Sequence, residues 1–235
     1  MAQQTVVYYK NGTSNKYDIQ GTLNTRFSGN TSIVRVEIGE GVTIINKRAF
    51  WKCTSLTSVT IPNTIKNIIS ETFRGCTSLT SVTLPNSVVS IGDSAFDGCT
   101  SLSSITIPDS VTSIGDWAFL ECTSLTSVTI PNSVNSIGGQ AFRDCTSLSS
   151  ITIPDSVTSI GNDAFDEIPT QGDLYCDATW YNNLSSTNKT NLGNVYNWQR
   201  HNIGTDTIFS STTTTNDYCN GYDWTRDTTV HYLSG

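Results

Sequence analysis

Phenylalanine returns at a fixed step of 23 residues, at Phe27, Phe50, Phe73, Phe96, Phe119, Phe142 and Phe165. A constant period of this length decides architecture before any local propensity, because it marks one supersecondary unit stacked on copies of itself. Cys53, Cys76, Cys99, Cys122 and Cys145 keep the same step, and Asn30 takes the cysteine's place in the first unit. Between them run apolar columns through Leu56, Leu79, Leu102, Leu125 and Leu148, and through Ile61, Leu84, Ile107, Ile130 and Ile153. Ile33, Val36 and Ile38 supply a degenerate first copy.

Inside a unit, the spacing Leu56-x-x-Val59-x-Ile61 predicts a strand with Val59 and Ile61 on one face and Ser58 and Thr60 on the other. Pro62, lacking an N–H donor, ends that strand, and Ile65 and Ile68 resume the apolar pattern on the return side. Gly92, Gly115, Gly138 and Gly161 are expected to supply the turn that brings each phenylalanine inward. A lone unit of this kind has too little apolar surface to fold, so stability comes from its neighbours and both ends need caps. Thr5–Tyr9 and Lys16–Gln20 alternate around Asn11-Gly12-Thr13-Ser14, which predicts an N-terminal capping hairpin within residues 1–30. Repeats fill 31–168, and an aromatic-rich cap region occupies 169–235. There Leu174-Tyr175-Cys176 reads as a final strand, followed by a short helix starting near Asp177.

The unit Cys-Thr-Ser-Leu-Thr-Ser-Val-Thr-Ile-Pro-Asn-Ser-Val-x-Ser-Ile-Gly-x-x-Ala-Phe is clearest from Cys76 to Phe165. It resembles the BspA-type, or Treponema-type, leucine-rich repeat. The resemblance implies a right-handed, β-rich leucine-rich-repeat solenoid with a strand ladder on one face. Such repeats are typical of adhesins and other surface or secreted proteins that hold host proteins or neighbouring cells, and the family brings no catalytic motif.

Only 14% of the chain is charged, against about 25% in an ordinary globular domain. Ser, Thr and Asn therefore dress the surface. A net charge of −7 and a pI near 4.6 argue against contact with nucleic acid or anionic membrane, both of which draw basic patches. No run approaches the roughly 18 apolar residues of a membrane span, and Met1 to Lys10 show no secretory signal. An extracellular, cell-surface or virion location is expected, reached either after removal of a leader or by another route.

His201 and His231 are the only histidines, and no hydrolase, zincin or phosphate-loop motif is present, so a non-enzyme without cofactor is expected. The five repeat cysteines read as buried free thiols, since zinc sites need clustered ligands and no Cys-x-x-Cys occurs. Cys176 and Cys219, outside the repeat, are a candidate disulfide. Asp217, Asn220, Asp223 and Asp227 could gather around calcium, although they lack the spacing of an EF-hand loop. Asp93, Asp97 and Asp116 are expected as solvated turn residues. Asn11, Asn30, Asn183 and Asn188 each open a glycosylation sequon.

Two features are candidate ligand surfaces. One is the double hydroxyl column Ser58/Thr60, Ser81/Thr83, Ser104/Thr106, Ser127/Thr129 and Ser150/Thr152. The other is the aromatic tail, where Tyr222 and Trp224 are the residues expected to be exposed, while Trp180 and Trp198 seal the last rung. The expected function is adhesion or recognition of a protein or glycan partner on a cell surface. Two alternatives stand beside it. One is a structural subunit of a self-assembling filament, virion or appendage, joined end to end as a homo-oligomer. The other is an ice-binding protein that uses the Ser/Thr ladder.

Overall fold

A computed structural model describes residues 4–193, 195 and 198–203. The chain opens with β1 (Thr5–Tyr9) and β2 (Ser14–Tyr17), an antiparallel hairpin, and a short strand β3 (Gly21–Leu23). Each unit then gives a front strand and a shorter return strand. These are β4 (Ile33–Glu37) and β5 (Val42–Ile45), β6 (Ser58–Thr60) and β7 (Asn67–Ile68), β8 (Ser81–Thr83) and β9 (Ser90–Ile91). There follow β10 (Ser104–Thr106) and β11 (Ser113–Ile114), β12 (Ser127–Thr129) and β13 (Ser136–Ile137), β14 (Ser150–Thr152) and β15 (Ser159–Ile160).

The result is a β-solenoid. Front strands pair in parallel and in register, Ser on Ser and Thr on Thr, in two successive sheets that adjoin at β10 and β12. The hairpin extends this face through antiparallel pairing of β1 with β4, with Val7 opposite Val36. Return strands β7 to β15 form a second parallel ladder. The turns carrying the phenylalanines form a third ladder. There the N–H groups of Glu71, Phe73 and Gly75 donate to Asp93, Ala95 and Asp97 of the next rung. The pattern needs two residues per rung in the left-handed conformation, two before and two after each phenylalanine, such as Trp117 (φ 57) and Glu121 (φ 57). That backbone aims successive N–H groups along the solenoid axis, and the hydrogen bonds offset a cost of about 1–2 kcal/mol per L-residue.

The core is a single stack. Phenylalanine rings from Phe27 to Phe165 lie 5.1–5.8 Å apart with interplanar angles of 2–13°. Each such pair contributes about 0.5–1.5 kcal/mol beyond area burial. Tyr17 of the hairpin closes the stack edge-on to Phe27, at 5.4 Å and 71°. The expectation for the glycine column needs correction. Gly92 and Gly115 do not occupy the left-handed region. A Cβ at Gly92 would stand 2.8 Å from the Ser70 nitrogen, and one at Gly115 would stand 2.6 Å from the Asp93 nitrogen. Glycine is present so that adjacent rungs touch, not so that the chain can turn.

At the far end, β16 (Asp173–Cys176) continues the front ladder but is not its last strand. The chain passes through α1 (Ala178–Asn183), capped by the Asp177 side chain, and α2 (Ser186–Asn191), then returns as β17 (Gln199–Asn202) parallel to β16. Trp198 is buried and its indole donates to the Pro169 carbonyl, while the Trp180 indole donates to Val157. No described helix is long and apolar enough to cross a membrane.

Candidate functional site

The front face carries the hydroxyl columns in the register the period demands. Ser81, Thr83, Ser104, Thr106, Ser127 and Thr129 are exposed, as is Thr60, whereas Ser58, Ser150 and Thr152 are half-buried. Inward from them Val59, Val82, Ile105, Val128 and Ile151 are buried. Strand geometry sets the two columns roughly 6.7 Å apart along the strand and successive rungs about 4.8 Å apart.

Other hydroxyl columns of the repeat have a structural use. Thr57, Thr80, Ser103, Thr126 and Ser149 donate to a carbonyl of the preceding rung. Ser87, Ser110, Ser133 and Ser156 do the same on the return side, at 2.6–2.8 Å. By contrast, among the described residues, none of the ten hydroxyls from Ser58 to Thr152 in the two front columns bonds to the protein. They are the donors and acceptors that water or a ligand must satisfy.

Both ends of this strip are chemically different. At the N-terminal end Arg35 stands opposite Ser58, and Glu37 stands opposite Thr60. The Arg35 guanidinium lies 3.9 Å from the Tyr8 ring centre and 3.2 Å from Glu37, whose carboxylate also accepts from the Tyr8 hydroxyl. At the other end Asp173 follows Ser150, and Tyr175 follows Thr152. His201 on β17 lies 2.9 Å from Asp173 and stacks on Tyr175 at 4.7 Å. Of these six residues only His201, one of two histidines, stands out from composition. Four of them, Arg35, Glu37, Asp173 and Tyr175, are 23 residues from a ladder residue and so lie in its columns.

The cysteine column is buried and free. Each thiol donates to the carbonyl of the phenylalanine 26 residues earlier, from Cys53 to Phe27 (2.9 Å) through Cys145 to Phe119 (3.3 Å). Burial pushes the thiols up, to about 11 at Cys53 and about 12 at Cys145, which removes the thiolate that nucleophilic or metal chemistry needs. Asn30 does not share that inward site. Among the described residues no rung precedes it, and its side chain instead accepts from Ser32.

The turn carboxylates are not merely solvated. Asp93 accepts the Asp116 N–H, and Asp116 accepts the Gly139 N–H, so each ties one rung to the next. Asp97 is buried and sits 2.8 Å from Arg74. Burial raises its carboxyl above the ordinary range despite that guanidinium. Glu71 is also buried, ringed by Arg48 (2.7 Å), Lys47 (3.1 Å) and Arg74 (3.7 Å), and the Arg48 hydrogen bond holds its carboxyl below the ordinary range.

Of the remaining candidates, Asn11 accepts from Thr13, Asn183 is exposed at the end of α1, and Asn188 bonds to Ile160 and Thr158. Cys176 is buried. Its proposed partner Cys219, the tail residues Tyr222 and Trp224, and Asp217, Asn220, Asp223 and Asp227 all lie outside the described residues. Among the described residues no group of three or more His, Cys, Asp and Glu is placed to hold a metal.

Comparison with known proteins gives a consistent answer. The model of the BspA-type leucine-rich-repeat region matches six copies, over residues 19–126 and 43–171. A leucine-rich repeat protein from Bacteroides ovatus is 27% identical with a TM-score of 0.56, covering 73% of this chain. This chain spans about half of that protein, 48% of its length. The Treponema pallidum leucine-rich repeat protein is 25% identical, also with a TM-score of 0.56, over 83% of this chain and 94% of its own. The pneumococcal vaccine antigen PcpA shares the fold at 19% identity and a TM-score of 0.55, over 78% of this chain and 45% of its own. No curated protein matches significantly. With six repeat copies matched across more than half its length, the chain belongs to the BspA-type leucine-rich-repeat family.

Proposed function

We propose that this protein is a non-enzymatic recognition module of the cell surface, which lays its front strand face along an extended polar partner, a protein segment or a glycan. The observation that carries the reading is the division of labour among hydroxyls. Up to four other hydroxyls in a rung are committed to the neighbouring backbone, as in Thr100, Ser103, Ser110 and Thr112. The Ser58-to-Thr152 columns are not. Repetition of one donor-acceptor pair about every 4.8 Å suits a partner that itself repeats or runs straight.

The ends of the strip supply what a uniform hydroxyl array lacks. Tyr8 and Tyr175 offer flat apolar faces for stacking, while Arg35, Glu37, Asp173 and His201 offer charge. Serine in the first column and charged residues at both ends favour a macromolecular polar partner over ice.

The test is a comparison of wild type with Thr83→Arg/Thr106→Arg on glycan and extracellular-protein arrays. These side chains project from the exposed face but stand directly opposite each other on paired strands, so the melting temperature is expected to fall by no more than about 4 °C. Array ligands bound by wild type and lost by the double variant support the proposal. Equal binding by both overturns it.

A further inference from the structure

Charge is distributed along the solenoid axis with opposite signs at the two ends. Residues 1–92 hold nine Lys and Arg against four Asp and Glu, net +5. Residues 93–203 hold three against twelve, net −9. The asymmetry is concentrated on the turn edge, at the positions flanking each phenylalanine. Around Phe50 these are Lys47, Arg48, Trp51 and Lys52. Around Phe119 they are Asp116, Trp117, Leu120 and Glu121. Lys52 and Glu121 are both exposed, and both hold the left-handed backbone that points their side chains away from the rung.

The apolar residues of this edge sit among those charges. Trp117 is 42% exposed, with its indole bonded to Gln140 of the next rung at 2.7 Å. Trp51 lies beside Lys52, whose ammonium is 4.5 Å from the ring centre. Tryptophan inside a ring of charge is the composition of an interface anchor rather than of a bare solvated turn.

We infer that the turn edge is a docking surface for a second copy of this chain, in an antiparallel two-fold dimer. The Phe50 edge of each copy lies on the Phe119 edge of the other. Two copies side by side in the same direction would set basic against basic and acidic against acidic. Reversing one copy about the midpoint between the Phe73 and Phe96 rungs puts Lys47, Arg48 and Lys52 against Asp116 and Glu121, twice by symmetry. It also lays Trp117 of one chain over Arg48 of the other, and Trp51 over Leu120. The central Phe73 and Phe96 rungs add no attraction, because Glu71 would face Asp93 and Asp97 while Glu71 and Arg74 are already paired within their own chain. The attraction comes from the Phe50 and Phe119 rungs, and because every rung advances about 4.8 Å their register holds along the edge. The surface uses none of the front-column hydroxyls.

Sedimentation equilibrium of the full chain tests this, in 20 mM and 500 mM NaCl. A dimer is expected at low salt, with its dissociation constant rising at least about tenfold at high salt, because exposed charges are screened within a few ångströms there. Lys52→Glu and Glu121→Lys should each weaken the dimer, and the double variant K52E/E121K should restore it, since the pair is exchanged rather than removed. Trp117→Ala should also weaken it. A chain that is monomeric at 20 mM NaCl overturns the inference, as does a dimer that both single charge variants leave unchanged or that K52E/E121K fails to restore.

Discussion

The thiol of Cys99 donates to the backbone carbonyl of Phe73, 3.2 Å away and one rung earlier. The same relationship joins Cys76 to Phe50 and Cys122 to Phe96. The column is therefore a line of weak donors, each seated on a carbonyl inside the core. Alkylating such a thiol requires both access and a thiolate, and burial denies both. In native protein at pH 8, peptide-level mass spectrometry after iodoacetamide should find Cys76, Cys99 and Cys122 unmodified for hours. Cys53, raised only to about 11, should be the first of the five to react. Denaturant should make all five react within minutes. Rapid native labelling of Cys99 would show that the rungs open far more readily than this packing allows.

Glu121 holds a left-handed backbone (φ 57), where the same column carries Gly75 and Gly98. Its N–H donates to Arg143 and its carbonyl accepts from Thr123, both through the backbone. Glu121→Gly keeps those bonds and relieves the Cβ strain, at the cost of a more flexible unfolded chain. The balance is expected to stabilise by about 0.5–1 kcal/mol. Chemical denaturation should show the midpoint rising with an unchanged slope. A fall would mean that the exposed side chain makes a contribution larger than the strain.

Glu71 and Asp97 share Arg74 yet titrate in opposite directions. Glu71 is depressed in the folded state, first by the Arg48 hydrogen bond, so it stabilises the fold above its unfolded pKa. That contribution is lost as pH falls through its lowered folded value. Asp97 is raised by burial, so its ionisation opposes folding once pH climbs past its unfolded value, and the penalty is complete above its folded one. Glu71→Gln should therefore lower the melting temperature at pH 7 and converge on wild type at the acid end. Asp97→Asn should leave it unchanged or raise it at pH 7. Equal loss in both variants would mean that Arg74 compensates Asp97 more fully than its burial indicates.

The repeat was legible because one register governs everything in it. Once Phe27 to Phe165 are aligned, the inward position of Val59 and the outward position of Ser58 follow from strand alternation, and the break at Pro62 from its missing N–H donor. What escaped lies where the register changes hands. Arg35 and Asp173 belong to the ladder columns by the 23-residue step, but differ in kind from serine and so do not look like members. His201 reaches the same face through β17, offset from Tyr175 by 26 residues rather than 23, which periodicity does not supply. Gly115 departs from the role expected of it for a related reason. A glycine in a turn suggests a backbone angle, whereas here the constraint comes from Asp93 of the previous rung, a contact that exists only after stacking.

Among the described residues the return ladder ends at β15, and what meets that edge is a pair of side chains rather than another strand. Asn188 accepts the Ile160 N–H at 3.2 Å and donates to the Thr158 carbonyl at 3.1 Å, while buried Asn191 donates to the Ile160 carbonyl at 2.6 Å. Together they reproduce the hydrogen bonds that a further rung would make, and α2 covers the edge that would otherwise template pairing. Asn191→Leu retains most of the volume but removes the donor, which leaves the Ile160 carbonyl buried and unpaired at a cost of about 1–3 kcal/mol. Asn188→Ala removes the acceptor for the Ile160 amide. Hydrogen exchange should locate both effects, with protection at Ile160 lost in Asn188→Ala and reduced across β15 in Asn191→Leu. Protection at Ile114 and Ile91, two and three rungs away, should stay at the wild-type level because rungs stabilise chiefly their neighbours. Protection unchanged at Ile160 in Asn188→Ala would mean that the end of the solenoid is closed by packing of Leu192 and Trp198, not by these amides.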